Sequence, residues 1–250
     1  MKLIIDGDVL LYQSLPRDSL SSFPLATETY IRLKEQMIRN TFADEVVLCM
    51  STEGANFRKN EYPSYKAQRK IKEKPPHLFD LKDWAWIHDP DIIGSPKGEA
   101  DDYMLIEAAK CIKAGETFVI ASVDKDLRTI PCPYYNMLER KIYKIDADYA
   151  LDFIFEQFIT GDAIDGIAGI YGMGPRKTTA YLETFNTNKE KWDGIKSKWR
   201  EVKGDGWKEA FNQDCNLVLI RRYKAHLRTL DFAGMSWNVL RKMLGFHIPD

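Results

Sequence analysis

The chain carries only four cysteines, Cys49, Cys111, Cys132 and Cys215, widely scattered, with no Cys-x-x-Cys pair and no histidine at ligand spacing. That scatter excludes a disulfide framework, argues against zinc, and is what buried thiols in a reducing compartment look like. No apolar run approaches the roughly 20 residues needed to cross a bilayer. Met1-Lys2-Leu3-Ile4-Ile5-Asp6 passes straight into an apolar strand and then an acid, so no export signal and a cytoplasmic location are expected. Net charge is missing as well: 36 Lys and Arg stand against 37 Asp and Glu, a formal charge of −1. Near-neutrality gives no general pull toward nucleic acid, but it hides local segregation. Arg58, Lys59, Lys66, Arg69, Lys70, Lys72 and Lys74 crowd one stretch that holds only Glu61 and Glu73 as acids, and Arg221, Arg222, Lys224 and Arg228 form a second basic cluster. Internal repeats and low-complexity tracts are absent too.

What is there is an ordinary globular composition, 250 residues with 44% hydrophobic and 29% charged, enough for one large α/β domain or one with a small appendage. Apolar runs at 2–5, 45–50, 92–93 and 117–121 read as buried parallel strands. Helical patterns at 26–41 and 100–113 fall between them, the rhythm of βαβ units. Residues 134–136 and 141–145 predict two more short strands, an edge pair. From 147 onward the chain reads as helical, at 147–160, 207–228 and 237–244 with a glycine-punctuated hairpin after the first. Residues 56–91 are charged, aromatic and interrupted by Pro63, Pro75, Pro76 and Pro90, which predicts a projecting loop or helical arch.

The acids have a pattern. Asp6 and Asp8 follow the first strand; Glu99, Asp101 and Asp102 open a helix; Asp124 and Asp126 follow 117–121; Asp162 and Asp165 precede the hairpin. Singly, each has an ordinary explanation: helix or turn capping, or a favourable charge at a helix N-terminus. Collected at one rim of one sheet they would repel strongly unless cations neutralised them, and hard oxygens are what Mg²⁺ or Mn²⁺ prefers. A two-metal site for phosphoryl displacement needs about this many oxygens around ions ~4 Å apart. Gly172-Met173-Gly174 then makes a turn into a helix starting at Pro175, with Arg176 and Lys177 in its first turn. Glycines there allow close approach of a phosphate to the backbone; the plainer reading is that they let two helices meet. Metal ligands beside a phosphate cradle point to phosphodiester chemistry.

These blocks, in this order, resemble the structure-specific 5′-nucleases, the flap endonucleases and phage-type 5′→3′ exonucleases. The similarity runs through Ile4-Ile5-Asp6-Gly7 with Tyr12, Phe57-Arg58 leading to Tyr62-Pro63-Ser64-Tyr65-Lys66-Ala67-Gln68-Arg69, Gly98-Glu99-Ala100-Asp101-Asp102, Ser122-Val123-Asp124-Lys125-Asp126-Leu127, and 161–177. The resemblance implies an α/β fold: a mostly parallel central sheet flanked by helices, a PIN-like nuclease core over 1–146 with a helical arch at about 56–91, and a helical region over 147–250 with a helix-three-turn-helix at about 161–183, all in one compact unit. It implies two Mg²⁺ or Mn²⁺ ions, one held by Asp6, Glu99 and Asp101 with Asp102 nearby, the other by Asp124, Asp126, Asp162 and Asp165. Lys66 and Arg69 would neutralise charge on the scissile phosphate. Tyr12, Arg58 and Tyr65, with Gly172, Gly174, Arg176 and Lys177, would hold DNA bearing 5′ ends, nicks or flaps. RNA–DNA hybrids stand beside DNA as candidate substrates, a monovalent cation such as K⁺ is known at the hairpin in the family, and a monomer is expected.

One position departs from the pattern. The family's second strand ends in a metal-ligating Asp, and here Ser51 stands there. Asp8 is the first candidate to replace that charge and Glu53 the second; a water ligand is the alternative. Two rival functions follow from the sequence, a DNA-binding protein without catalysis, and a phosphatase using Asp6-Gly7-Asp8 as a DxD motif, although the latter leaves the basic arch and hairpin without purpose.

Overall fold

The computed structural model describes residues 1–15, 22–54, 56–67 and 73–248. Six strands, β1 (Lys2–Asp6), β2 (Glu45–Cys49), β3 (Ile92–Ile93), β4 (Phe118–Ser122), β5 (Cys132–Asn136) and β6 (Lys141–Ile145), form one sheet in the order β3-β2-β1-β4-β5-β6. All neighbours run parallel except β5 and β6, the expected antiparallel edge pair. In the middle, Leu3, Ile4 and Ile5 have no exposed surface, as a strand covered on both faces requires.

Strand alternation sorts the core into two layers. Leu3, Ile5, Leu48, Val119, Ala121 and Tyr135 point to one face. There they pack on α1 (Gly7–Ser14), α2 (Phe23–Thr41) and α4 (Leu78–His88). Ile4, Cys49, Ile120 and Tyr134 point to the other, against α5 (Ala100–Ala114) and α6 (Ala147–Thr160). The same apolar cluster continues through Trp192, Trp199, Phe211 and Leu240. These belong to α8 (Asn188–Lys203), α9 (Trp207–Val218) and α10 (Trp237–Leu244), so the C-terminal helices share a core with the sheet.

Two sequence expectations need correction. The helix expected over 207–228 ends at Val218, because Leu219 is extended. Beyond it Arg221 and Arg222, 1% and 2% exposed, turn inward instead of forming a surface basic cluster. Arg221 donates to the Leu219 and His226 carbonyls, and Arg222 to those of Ile220 and Thr129. The arch is also shorter than 56–91: α4 buries Leu78, Leu81 and Ala85 in the sheet's first layer, leaving α3 (Phe57–Glu61) and the turns after it on the site side.

Candidate active site

The acids expected at the rim lie at strand ends or at the start of a helix or turn, and several also play the ordinary local role of a cap. Asp6 closes β1 and caps α1, its Oδ1 accepting from Val9 N at 3.0 Å, while Ser122 Oγ donates to Oδ2 at 2.6 Å. Glu99 occupies the N-cap position of α5. Asp124 accepts from Asp126 N at 2.8 Å, which starts the 3₁₀ turn after β4, and Asp162 accepts from Ile164 N at 2.8 Å. Capping and function are therefore compatible: the backbone N–H groups aim these carboxylates.

The fold then brings them together. Glu99, Asp101, Asp102, Asp124, Asp126, Asp162 and Asp165 line one cleft, with Lys66 on its wall. Asp6 lies close enough to Asp101 and Asp124 for their charges to act on one another. Burial, with Asp8 and Asp124 nearby, pushes Asp6 up to about 7. Burial and Asp124 do the same to Asp126, also to about 7, and burial with Asp6 and Asp124 lifts Asp101 well above the usual carboxylate range. Burial and mutual repulsion both favour the neutral carboxyl, so a cation placed among these groups would favour their charged forms.

The donor chemistry fits a hard divalent cation: all oxygen, with neither sulfur nor imidazole. The side chains do not yet form a cage. Among the described residues no three His, Cys, Asp or Glu groups are gathered into an ion-holding set. One reason is visible at Glu99, whose oxygens face Lys66 Nζ at 3.0 Å and the Tyr65 hydroxyl at 3.1 Å. Against the burial that would raise it, Lys66 and Arg58 keep Glu99 below its ordinary range.

Lys66 is the main cation inside this acidic wall. Its backbone is left-handed at φ 55°, uncommon for a residue with a side chain, and its N–H reaches the Asp165 carbonyl at 3.3 Å. Its ammonium also lies 3.7 Å from the Asp165 carboxylate. Arg69, its expected companion, lies outside the described residues.

Three assignments change. Arg58, expected on DNA, is 2% exposed and grips Asp102 through two hydrogen bonds of 2.7 and 2.9 Å. Asp102, expected beside a metal, is 1% exposed and also accepts from the backbone N–H groups of Arg221 and Glu99. Four donors occupy the four lone-pair directions a carboxylate has, so none is left for a cation. Tyr65, also expected on DNA, is buried and supports Glu99. Tyr12, by contrast, is 47% exposed, with the Lys74 ammonium 3.2 Å from its hydroxyl.

The hairpin after α6 depends on two glycines. A Cβ on Gly169 would lie 2.3 Å from the Thr160 carbonyl, and one on Gly161 2.5 Å from that of Ile167; both have positive φ. They let the loop fold back so that Asp162 and Asp165 reach the cleft. Gly172 and Gly174 differ: both are exposed, with open space where a Cβ would stand. Gly174 begins α7 (Pro175–Leu182) without a side-chain cap, and Arg176 and Lys177 are exposed in its first turn. That leaves N–H groups and two cations facing outward, as an anion site requires.

Sequence reasoning missed Gln157. From α6, 5% exposed, it donates Nε2 to Asp126 Oδ1 at 2.8 Å. Its signal was a polar residue in the apolar phase of a helix, between Phe155 and Phe158. Ser122, hydrogen-bonded to Asp6, gave no comparable signal.

A family described as 5′-3′ exonuclease, N-terminal resolvase-like domain, matches residues 2–156. The exonuclease of Escherichia phage T7 is 30% identical over 193 residues, 69% of this chain and 63% of that protein, less than two thirds of its length. Flap endonuclease Xni of a Shewanella species is 26% identical over 200 residues, 74% of this chain and 75% of that protein. Among solved structures, the bacteriophage T5 D15 flap endonuclease in complex with DNA and metal ions superposes with a TM-score of 0.71. That alignment covers 97% of this chain and 96% of the T5 chain at 18% identity, a likeness of fold.

Proposed function

The chain belongs to the 5′-3′ exonuclease family, and on that premise we propose that it is a divalent-metal-dependent nuclease that hydrolyses phosphodiesters at 5′ ends, nicks or 5′ flaps of duplex DNA. The observation that carries this reading is the cleft itself: seven acids from three separate chain segments line it, and among the described residues only Arg58 and Lys66 stand there as cations, Arg58 already paired with Asp102. Such a wall repels a phosphodiester unless cations come first. Asp6, Glu99 and Asp101 would hold one Mg²⁺ or Mn²⁺, and Asp124, Asp126, Asp162 and Asp165 a second, with Asp8 in reserve for the first. Divalent ions there supply charge neutralisation and activation of water at neutral pH.

The chain's own groups do the rest. Lys66 leaves Glu99 for the scissile phosphate and stabilises the charge that develops on it. Gly172, Gly174 and the first turn of α7, with Arg176 and Lys177, hold the duplex backbone without reading its sequence. K⁺ at that hairpin, action on RNA–DNA hybrids, and a monomeric state belong to the same reading. Tyr12 offers its exposed ring to the base beside the cut. Residues 1–146 would form the catalytic core and 147–250 the duplex-holding part of one unit. Among the described residues no helix is long and apolar enough to cross a membrane.

Labelled 5′-flapped, nicked, blunt and RNA–DNA substrates, each with Mg²⁺ or with chelator, test the reading, with a small phosphate monoester as control. Mg²⁺-dependent release of short 5′ products is expected, lost in Asp101→Asn and Asp124→Asn while DNA affinity is kept. Release of phosphate from the monoester alone, or an Asp124→Asn variant cutting at the wild-type rate, would overturn it.

A further inference from the structure

One buried ion pair lies at the edge of the acidic cleft without being open to it, Arg58 and Asp102 being 2% and 1% exposed. Arg58 Nη1 and Nη2 meet the two oxygens of Asp102 at 2.7 and 2.9 Å, and Nη2 also donates to the Leu219 carbonyl at 3.0 Å. Asp102 in turn accepts from Arg221 N at 2.8 Å and Glu99 N at 3.1 Å. Three segments distant in sequence therefore converge on one planar fork: α3, the start of α5, and the extended chain after α9. Buried ion pairs of this kind are poor sources of stability, since apolar packing often does as well. A bidentate arginine does fix direction, which apolar packing does not.

Direction matters here because both members of the Lys66–Glu99 pair trace back to this contact. On one side, backbone hydrogen bonds fold the short segment between Arg58 and Lys66 into successive turns: Tyr62 N to the Arg58 carbonyl at 2.8 Å, Tyr65 N to that of Tyr62 at 3.0 Å, and Ala67 N to that of Ser64 at 3.1 Å, while Lys66 N goes to the Asp165 carbonyl at 3.3 Å. The arch base thus links Arg58 to Lys66 through a short run of hydrogen-bonded turns. On the other side, Glu99 is tied to Asp102 through its own N–H, and Asp101 lies between them in sequence.

We propose that Arg58 and Asp102 are positioning residues: their clasp sets where the Lys66 ammonium stands against Glu99, and so aligns the charge-stabilising lysine with the carboxylate rim. Neither touches substrate. The inference rests on the nuclease reading for its consequence in catalysis, but the placement of Lys66 can be measured without DNA.

The test combines three measurements on Arg58→Lys, which keeps the charge but cannot span both Asp102 oxygens and the Leu219 carbonyl. Asp102→Asn, nearly isosteric, takes its place should Arg58→Lys fail to fold. Single-turnover cleavage of a 5′-flap at saturating DNA should fall on the order of 10²-fold, the cost of a ~1 Å misplacement. Affinity for the same DNA in chelator should stay within about threefold, less than 1 kcal/mol. Acylation of Lys66 in the free protein, followed by peptide mass spectrometry, should quicken severalfold while Lys177 labels as in the wild type. A wild type that cuts nothing would defeat the nuclease reading and leave the labelling to decide the clasp. Lys66 labelling unchanged in the folded variant, or a rise shared equally by all lysines, overturns the proposal.

Discussion

Asp8 rests against Ser51, with the backbone nitrogen of Ser51 3.3 and 3.4 Å from the two carboxylate oxygens of Asp8. An acid thus stands in contact with Ser51, the position where the resemblance implies a metal-ligating Asp. Burial raises Asp8 above its ordinary range, and the charge of Glu99 acts in the same direction. Ser51 itself is occupied, its hydroxyl accepting from Ala100 N at 3.1 Å at the start of α5. Glu53 is exposed, on the loop beyond. Asp8→Ala should therefore raise the Mg²⁺ concentration for half-maximal cleavage, Glu53→Ala should not, and Ser51→Asp placed on Asp8→Ala should recover part of the loss. A metal titration in which Asp8→Ala matches the wild type would leave a water as the replacement ligand.

Two lysines separate chemistry from grip. Lys66 is half-buried among Glu99 and Asp165, whereas Lys177 is exposed at the open start of α7. Lys66→Ala should lower the single-turnover rate on the order of 10²-fold or more, as removal of a preorganised charge stabiliser does. Lys177→Ala should weaken duplex binding alike for all sequences and reduce the salt slope by roughly one unit. If both variants changed affinity alone, Lys66 would have no part in the reaction.

How much of this could be read in advance follows from how local each feature is. The strands were legible because buried parallel strands are unbroken apolar runs, and the rim acids because they stand directly after them or just before a helix or hairpin. Asp162 and Asp165 were legible as part of a glycine-marked turn. The Arg58–Asp102 clasp was not, since the partners are separated by 44 positions and each resembles a surface charge when read alone. The end of α9 was hidden for a related reason. Residues 219–228 have helical composition, and what stops them is a set of carbonyls recruited by Arg221 and Arg222, some from distant segments.

Proton release from the cleft should be visible in stability. Asp6 and Asp126 titrate near 7 in the folded chain against 3.8 when unfolded, so the native state binds more protons across that interval. Stability then falls as pH rises through 7. His226, lowered by burial, works in the opposite sense as the unfolded imidazole titrates around 6.5, which offsets a smaller part of the loss near the bottom of this range, and Glu99 and Asp102 do so only in acid. Between about pH 6.5 and 8 the chelated protein should lose roughly 3–6 °C in Tm, from about 0.8 kcal/mol per carboxyl. On the proposed metal binding, Mg²⁺ would bind the native state, recover this loss and act more strongly at the higher pH. Calorimetry at the two pH values with and without Mg²⁺ decides it, and a chelated Tm that climbs across this interval would contradict the crowded, proton-holding cleft.

Gln157 joins the helical half of the chain to the rim. It projects from α6 at a position that the helix would otherwise fill with an apolar side chain, and its amide nitrogen donates to Asp126 Oδ1. Asp126 has Asp124, Asp162 and Asp165 as like-charged neighbours, so without that donor its carboxylate is free to turn away from them. Partners behind metal-ligating groups of this kind are commonly worth about 10–100-fold in metal affinity. Gln157→Ala should raise the half-saturating Mg²⁺ concentration within that range and leave duplex affinity in chelator unchanged, since Gln157 is buried. Gln157→Glu should be worse than alanine at neutral pH, because it adds a further charge to an already repelling set. Cleavage with wild-type metal dependence in Gln157→Ala would mean that the turn after β4 holds Asp126 without help from α6.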